Sequence, residues 1–166
     1  EIVVSNADAL HLHRNMLPAG TTNMQGWAKK RSRLSMGLYV LYFGTTKQYP
    51  DVAHHSIWFG PRFKEHLYDI FTRKHLSDDF SLYLHMPTLT DPSLAPPGCE
   101  AFYVLAPVPH LGAKIDWEQQ ANPYRDRIMA FLDERYLPGL SRHLVTEHLI
   151  DPRHFRDTLH SYLGSA

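Results

Sequence analysis

Twelve histidines stand among the 166 residues, and His11 with His13 and His54 with His55 are the pairs that invite a metal reading. Ligands sharing one helical face sit three or four residues apart, as in H-E-x-x-H, and no such motif occurs. The histidines therefore read as surface or hydrogen-bonded groups, and no metal site is expected. Cys99 is the one cysteine, which excludes an internal disulfide and a multi-cysteine metal centre and fits a reducing cytoplasm. The chain has no G-x-G-x-x-G, no P-loop and no G-x-S-x-G, so the usual loop that cradles a dinucleotide is missing. Candidates for a Ser, His and Asp triad are too numerous for any one set to carry weight.

The aromatic residues are more informative. Tyr39, Tyr42, Phe43, Trp58, Phe59, Tyr83, Phe102 and Tyr103 all fall in strand-like runs. Ordinary core packing accounts for any one of them. Together they supply a broad oily wall with few polar groups, which is what a long apolar ligand requires.

These side chains need elements to hold them. Ile2, Val3 and Val4 form a β-branched run bounded by Ser5, Asn6 and Asp8, the pattern of a buried strand ending in a turn. Leu10, Leu12, Met16 and Leu17 follow as the apolar side of a helix. The stretch 19–33, with Gly20, Gly26 and the cluster Lys29, Lys30, Arg31 and Arg33, has little periodicity and reads as a long connection. Residues 34–43 are apolar on both alternating faces, which predicts a central strand covered on both sides. A second strand is expected over 55–59. Phe63, Leu67, Ile70, Phe71 and Lys74 keep helical spacing with the charges opposite.

Phe80, Leu82, Leu84 and Met86 alternate with Ser81, Tyr83 and His85, so the even positions should pack under helices and Tyr83 and His85 should point the other way. For both, a half-buried position beside solvent is the alternative reading. Residues 87–98 are rich in proline and form an ordered loop or edge. The run 101–109 (AFYVLAPVP) is a strand neighbouring the 80–86 run, and Pro107 and Pro109 put its end at a sheet edge, with His110 at the mouth of a cavity. Asn122 with Pro123 marks a helix start, stopped by Pro138 and Gly139. Asp151 with Pro152 starts a last helix through Phe155, Leu159 and Tyr162, with Gly164 as its cap. Runs that do not alternate regularly predict an α+β domain on a largely antiparallel sheet, with helices packed on it.

Hydrophobic residues make up 43% and charged residues 20%, near the globular average. Lys plus Arg and Asp plus Glu are both 17, so no net field draws the chain to nucleic acid or an anionic membrane. The longest apolar run, 37–44, is far short of the roughly 20 residues of a spanning helix. The chain opens on a strand-like run without Met or leader and stops just after Gly164, so both ends are expected to be cuts through a larger polypeptide.

Several runs, in order along nearly the whole chain, resemble the bacterial phytoene desaturases: VVSNAD at 3–8, LYFG at 41–44, FGPR at 59–62, FSLYLHMPTLTDPSLAPPG at 80–98 and YVLAPVPHLG at 103–112. RDRI at 125–128, PGL at 138–140, FRD at 155–157 and GSA at 164–166 complete the set. The resemblance implies an amine-oxidase-like flavoprotein in which 1–8 end a flavin-domain strand and 9–166 are one substrate-side domain. It further implies that Ser5, Asn6 and Ala7 lie near FAD in the full-length enzyme, and that Tyr83, His85, Tyr103 and His110 contact the polyene. Desaturation of phytoene toward lycopene is the implied reaction, in the cytoplasm or at the inner face of the cell membrane by peripheral contact, and self-association is expected. The glycine-rich segments that hold the flavin in that family are absent, so this chain alone is not expected to retain it. A carotenoid isomerase or oxidase of the same superfamily, or a non-catalytic module binding apolar ligands, are the alternatives.

Overall fold

The computed structural model describes residues 2–18, 20–21 and 33–166. Five strands, β1 (Gly37–Thr45), β2 (His55–Trp58), β3 (Leu82–His85), β4 (Glu100–Val108) and β5 (Leu144–Ile150), form one sheet in the order β2-β3-β4-β1-β5. Every neighbouring pair is antiparallel. The helices are α1 (Ala9–His11, running into a π turn over Leu12–Met16), α2 (Phe63–Tyr68, into a π turn over Asp69–Arg73), α3 (Trp117–Arg135), α4 (Leu140–His143) and α5 (Pro152–Asp157). The α+β class expected from the residue pattern is the one observed.

One face of the sheet builds the core. Tyr39, Leu41 and Phe43 of β1, Leu82 and Leu84 of β3, and Phe102, Val104 and Ala106 of β4 are buried with Trp117, Tyr124, Ile128 and Leu132 of α3. Burial alternates residue by residue along β4, as a pleated strand covered on one side demands. Phe43 stacks on Phe102 across the strand pair at 5.0 Å between ring centroids. Tyr39 meets Tyr124 edge to face at 4.9 Å, and its hydroxyl donates to the Ala121 carbonyl at 2.7 Å. Burial pushes the Tyr39 phenol well above its ordinary value, so it stays a neutral donor that ties the sheet to α3.

Several expectations need correction. The helix predicted to start at Asn122 and Pro123 starts at Trp117 instead. The Asp116 carboxylate accepts from the backbone N–H of Glu118 at 3.0 Å and of Gln119 at 3.3 Å, a cap that outweighs the one hydrogen bond Pro123 forfeits inside the helix. Ile2, Val3 and Val4 are about nine-tenths exposed and pair with no strand among the described residues, because a β-branched run without a partner has no ladder to join. The strand predicted over 34–43 begins at Gly37; Tyr39, Leu41 and Phe43 pack in the core, and on the other face Val40 is buried while Tyr42 is 45% exposed, so the second face is covered only in part. In α2 the buried side chains are His66, Asp69 and Ile70, while Phe63 and Phe71 are exposed. Asp69 can be buried because its carboxylate accepts from Arg73 at 2.8 Å, Ser77 at 2.8 Å and Arg62 at 3.4 Å.

The last helix ends at Asp157, short of Tyr162. Gly164 follows a separate turn with φ of +63°, and a Cβ there would meet the Pro152 carbonyl oxygen at 2.1 Å, so only glycine fits. The connection expected over 19–33, with Lys29, Lys30 and Arg31, lies outside the described residues apart from Gly20, Thr21 and Arg33.

Candidate ligand-binding face

Antiparallel pairing puts directly opposed residues on the same side of the sheet. Following the register outward from β4 through its partners, His55, His85, Tyr103, Tyr42 and His148 line up across all five strands. The next row on that side is Ile57, Tyr83, Leu105, Val40 and Ile150. These side chains alternate with the core residues, so they stand on the face away from α3. Ile57 is 61% exposed, and Tyr83, His85, Tyr103 and Leu105 are half-buried. Tyr42 and His148 are exposed whereas Val40 is buried, so the face presents aromatic side chains across all five strands in the first row and apolar or aromatic ones over β2, β3 and β4 in the second.

The rings are in mutual contact. Tyr42 and Tyr103 lie 5.7 Å apart, Tyr83 and Tyr103 meet edge to face at 5.5 Å, and His85 and Tyr103 at 5.2 Å. The Tyr83 hydroxyl and His55 Nδ1 are 2.8 Å apart. Burial, with the Tyr83 hydroxyl beside it, pushes the Tyr103 phenol up to about 12, and burial followed by the neighbouring His54 and His55 holds His85 below its ordinary value. Both groups are neutral near pH 7, so the middle of the face carries dipoles and no charge. At the β1, β4 and β5 end the face runs into a pocket of about 400 Å³ lined by Tyr42, Leu94, Pro96, Cys99, Val145 and His148.

Of the residues singled out from the sequence, Tyr83, His85 and Tyr103 come together on this face, on strands that are neighbours as expected. His110 does not join them. Its Nδ1 accepts from the Gly112 backbone at 3.0 Å, closing the turn after β4, and β4 keeps its pairing with β1 through Pro107 and Val108. Pro107 is tolerated because β3 pairs with β4 only from Tyr103 to Leu105, leaving Pro107 where β4 has a single neighbour. Of the aromatic residues expected to form an oily wall, Tyr42 joins this face while Tyr39, Phe43 and Phe102 are buried in the core; His148 is not among the predicted residues, and the side of the sheet each takes requires the register.

Ser5, Asn6 and Ala7 are exposed, with the Ala7 N–H donating to Ser5 Oγ at 3.3 Å. Asp8 spends its carboxylate on capping α1 through the His11 N–H. No buried, unpartnered polar atom of the described residues lies in this segment, and the helical part of α1 has three residues. The segment thus offers an exposed backbone and the Ser5 hydroxyl, with no enclosed pocket of its own. No described helix is long and apolar enough to cross a membrane.

No protein-family model matches the chain. Among curated proteins, a phytoene desaturase (lycopene-forming) of Pseudescherichia vulneris is 51% identical over 170 residues, covering 100% of this chain and 34% of that protein. The lycopene-forming enzyme of Pantoea ananas is 48% identical, again over 100% of this chain and 34% of its own length. The neurosporene-forming phytoene desaturase of Rhodobacter capsulatus is 42% identical over 99% of this chain and 33% of its length. The chain spans about a third of the length of these relatives, and by identity sustained over all of its residues it belongs to the bacterial phytoene desaturase family.

Proposed function

We propose that this chain is the substrate-side segment of an FAD-dependent phytoene desaturase that carries phytoene toward lycopene, and that the uncovered face of its sheet is one wall of the polyene cavity. The observation that carries the reading is the row Tyr42, Tyr103 and His85, continued by Leu105 and Tyr83: aromatic or apolar, and on the face away from α3. A hydrocarbon offers no hydrogen bonds, so it is held by apolar area and shape alone. A wall of contacting rings on a rigid sheet fixes the chain's path and excludes water from the carbon pair that reacts.

FAD, when bound, supplies the two-electron oxidation. We assign the grip on its pyrophosphate to parts of the enzyme outside this chain, with residues 1–8 belonging to the flavin side, where Ser5, Asn6 and Ala7 would lie beside the cofactor, and 9–166 to the substrate side. Contact with the inner face of the cell membrane, where a polyene would partition, belongs to the same reading.

The test is Tyr103→Ala in the full-length enzyme, with phytoene conversion and bound flavin both measured. Losing a half-buried ring removes about 1 to 2 kcal/mol of apolar contact, so conversion at subsaturating phytoene should fall roughly five- to thirtyfold with flavin content unchanged. Unchanged conversion would overturn the assignment of this face.

A further inference from the structure

We propose that His54, His55 and His85 form a binding site for one Zn²⁺ at the β2 edge of the open face. One ring nitrogen from each of the three lies within 4.8 Å of the others. His55 and His85 are a directly opposed pair of β2 and β3, their rings stacked at 4.8 Å and 17°. His54, just before β2, turns its ring to both, 4.3 Å from His55 and 4.7 Å from His85. His54 and His85 present Nε2 to Nε2 at 2.8 Å, a hydrogen bond in which one ring donates to the other; a metal would replace the shared proton, with the two nitrogens moving slightly apart.

Donors of a tetrahedral zinc centre, at about 2.0 to 2.1 Å from the metal, stand about 3.3 Å from one another. The three nitrogens lie within 4.8 Å of one another, and because an imidazole lone pair lies in the ring plane, the exposed His55 ring has to turn out of its stack with His85 to complete the set. Two of the ligands are also held from behind, as metal-binding histidines usually are. His54 Nδ1 is hydrogen-bonded to the Thr90 hydroxyl, which leaves Nε2 facing inward, and the Tyr83 hydroxyl fixes the His55 ring. The group contains no carboxylate, and an all-imidazole set selects zinc and its neighbours over magnesium or calcium.

The fourth position faces solvent, since His55 is exposed and His54 and His85 are half-buried. β2 is a four-residue edge strand whose only sheet neighbour among the described residues is β3. A metal shared by His54, His55 and His85 clamps that edge and fixes the end of the aromatic row.

The test strips the full-length protein with a chelator, dialyses it against ZnCl₂ and measures retained metal by mass spectrometry, with Co²⁺ substituted in parallel for its visible absorption. About one extra zinc per chain is expected relative to the triple variant His54→Ala, His55→Ala, His85→Ala, together with the intense visible bands of tetrahedral Co²⁺. His85→Ala and, at the exposed edge where folding is least at risk, His55→Ala should each weaken binding tenfold or more, roughly the scale of disturbed zinc sites. His154→Ala, remote from the group, should retain the metal. Equal zinc in the unsubstituted protein and the triple variant, or in the unsubstituted protein and His55→Ala, would overturn the proposal, and so would a Co²⁺ spectrum unchanged by His55→Ala. None of these readouts depends on desaturase activity.

Discussion

Leu84 and Tyr83 are adjacent in β3 and face opposite sides of the sheet, so truncating each should have opposite consequences. Leu84 is fully buried in the core, and Leu84→Ala removes its methyl groups from a close-packed site and leaves a cavity, at a cost of about 2 to 5 kcal/mol. For a domain of this size about 1 kcal/mol shifts the melting temperature by roughly 2 to 4 °C, so a loss of about 4 to 20 °C is expected. Tyr83 is half-buried, so Tyr83→Ala forfeits about 1 kcal/mol of apolar burial plus about 0.5 kcal/mol for the hydrogen bond to His55. Urea denaturation of the two variants measures both costs. In the full-length enzyme the order should reverse for the chemistry: Tyr83→Ala lowers phytoene conversion with flavin retained, and Leu84→Ala acts through folding. If Tyr83→Ala destabilises as much as Leu84→Ala, the assignment of the two faces is wrong.

Stability should fall in two stages on acidification. His66 is buried with its Nδ1 unpartnered, and burial holds its pKa below the ordinary 6.5; the unfolded chain then binds the extra proton first, so its contribution is complete above about 6.5 and is lost as pH falls below that value. Asp69, held below the ordinary 3.8 mainly by its hydrogen bonds to Arg73 and Ser77, adds a second loss as pH falls below about 4. Thermal melts from pH 8 to pH 3 read both stages, and His66→Leu should flatten the upper one; a flat profile from pH 7 to pH 5 in the unsubstituted chain would refute it. The Asp133 carboxylate accepts from the backbone N–H groups of Gly139 at 2.7 Å, Leu140 at 3.1 Å and Ser141 at 3.0 Å, so Asp133→Ala should cost about 1 to 2 kcal/mol in denaturant titration, with Asp133→Asn recovering part of it. The isolated chain should be colourless and should self-associate through the open face. In sedimentation velocity, Ile57→Glu with Tyr42→Glu should return it to monomer, and a monomeric unsubstituted chain at high concentration would count against that.

The elements legible in the sequence are those whose burial is set locally. The alternation from Phe80 to Met86 and along β4 announces a sheet with one packed face, and it assigns Tyr83 and His85 to the other side before any register is known. Asp151 and Pro152 mark a helix start that the structure keeps, with the Arg153 N–H on the Asp151 carboxylate at 2.8 Å. What was not legible depends on partners distant in sequence. β5 carries exposed residues from Val145 to His148, so it has little hydrophobic signal and exists because β1 offers it a ladder. The meeting of His54 and His55 with His85 follows from the pairing of β2 with β3 across some thirty residues, which no rule of helical spacing detects. Burial of Asp69 depends on Arg62, Arg73 and Ser77 closing around it, a tertiary arrangement that overrides the amphipathic pattern of α2.

The central claim is that the face bearing Tyr103 touches the polyene. In the full-length enzyme, p-benzoyl-phenylalanine placed at Tyr103 and, as a control, at Gln120 on the exposed side of α3 can be irradiated with phytoene present and the protein weighed by mass spectrometry. The account predicts a phytoene adduct at position 103 and none at position 120. An adduct at neither position, or equally at both, would contradict it.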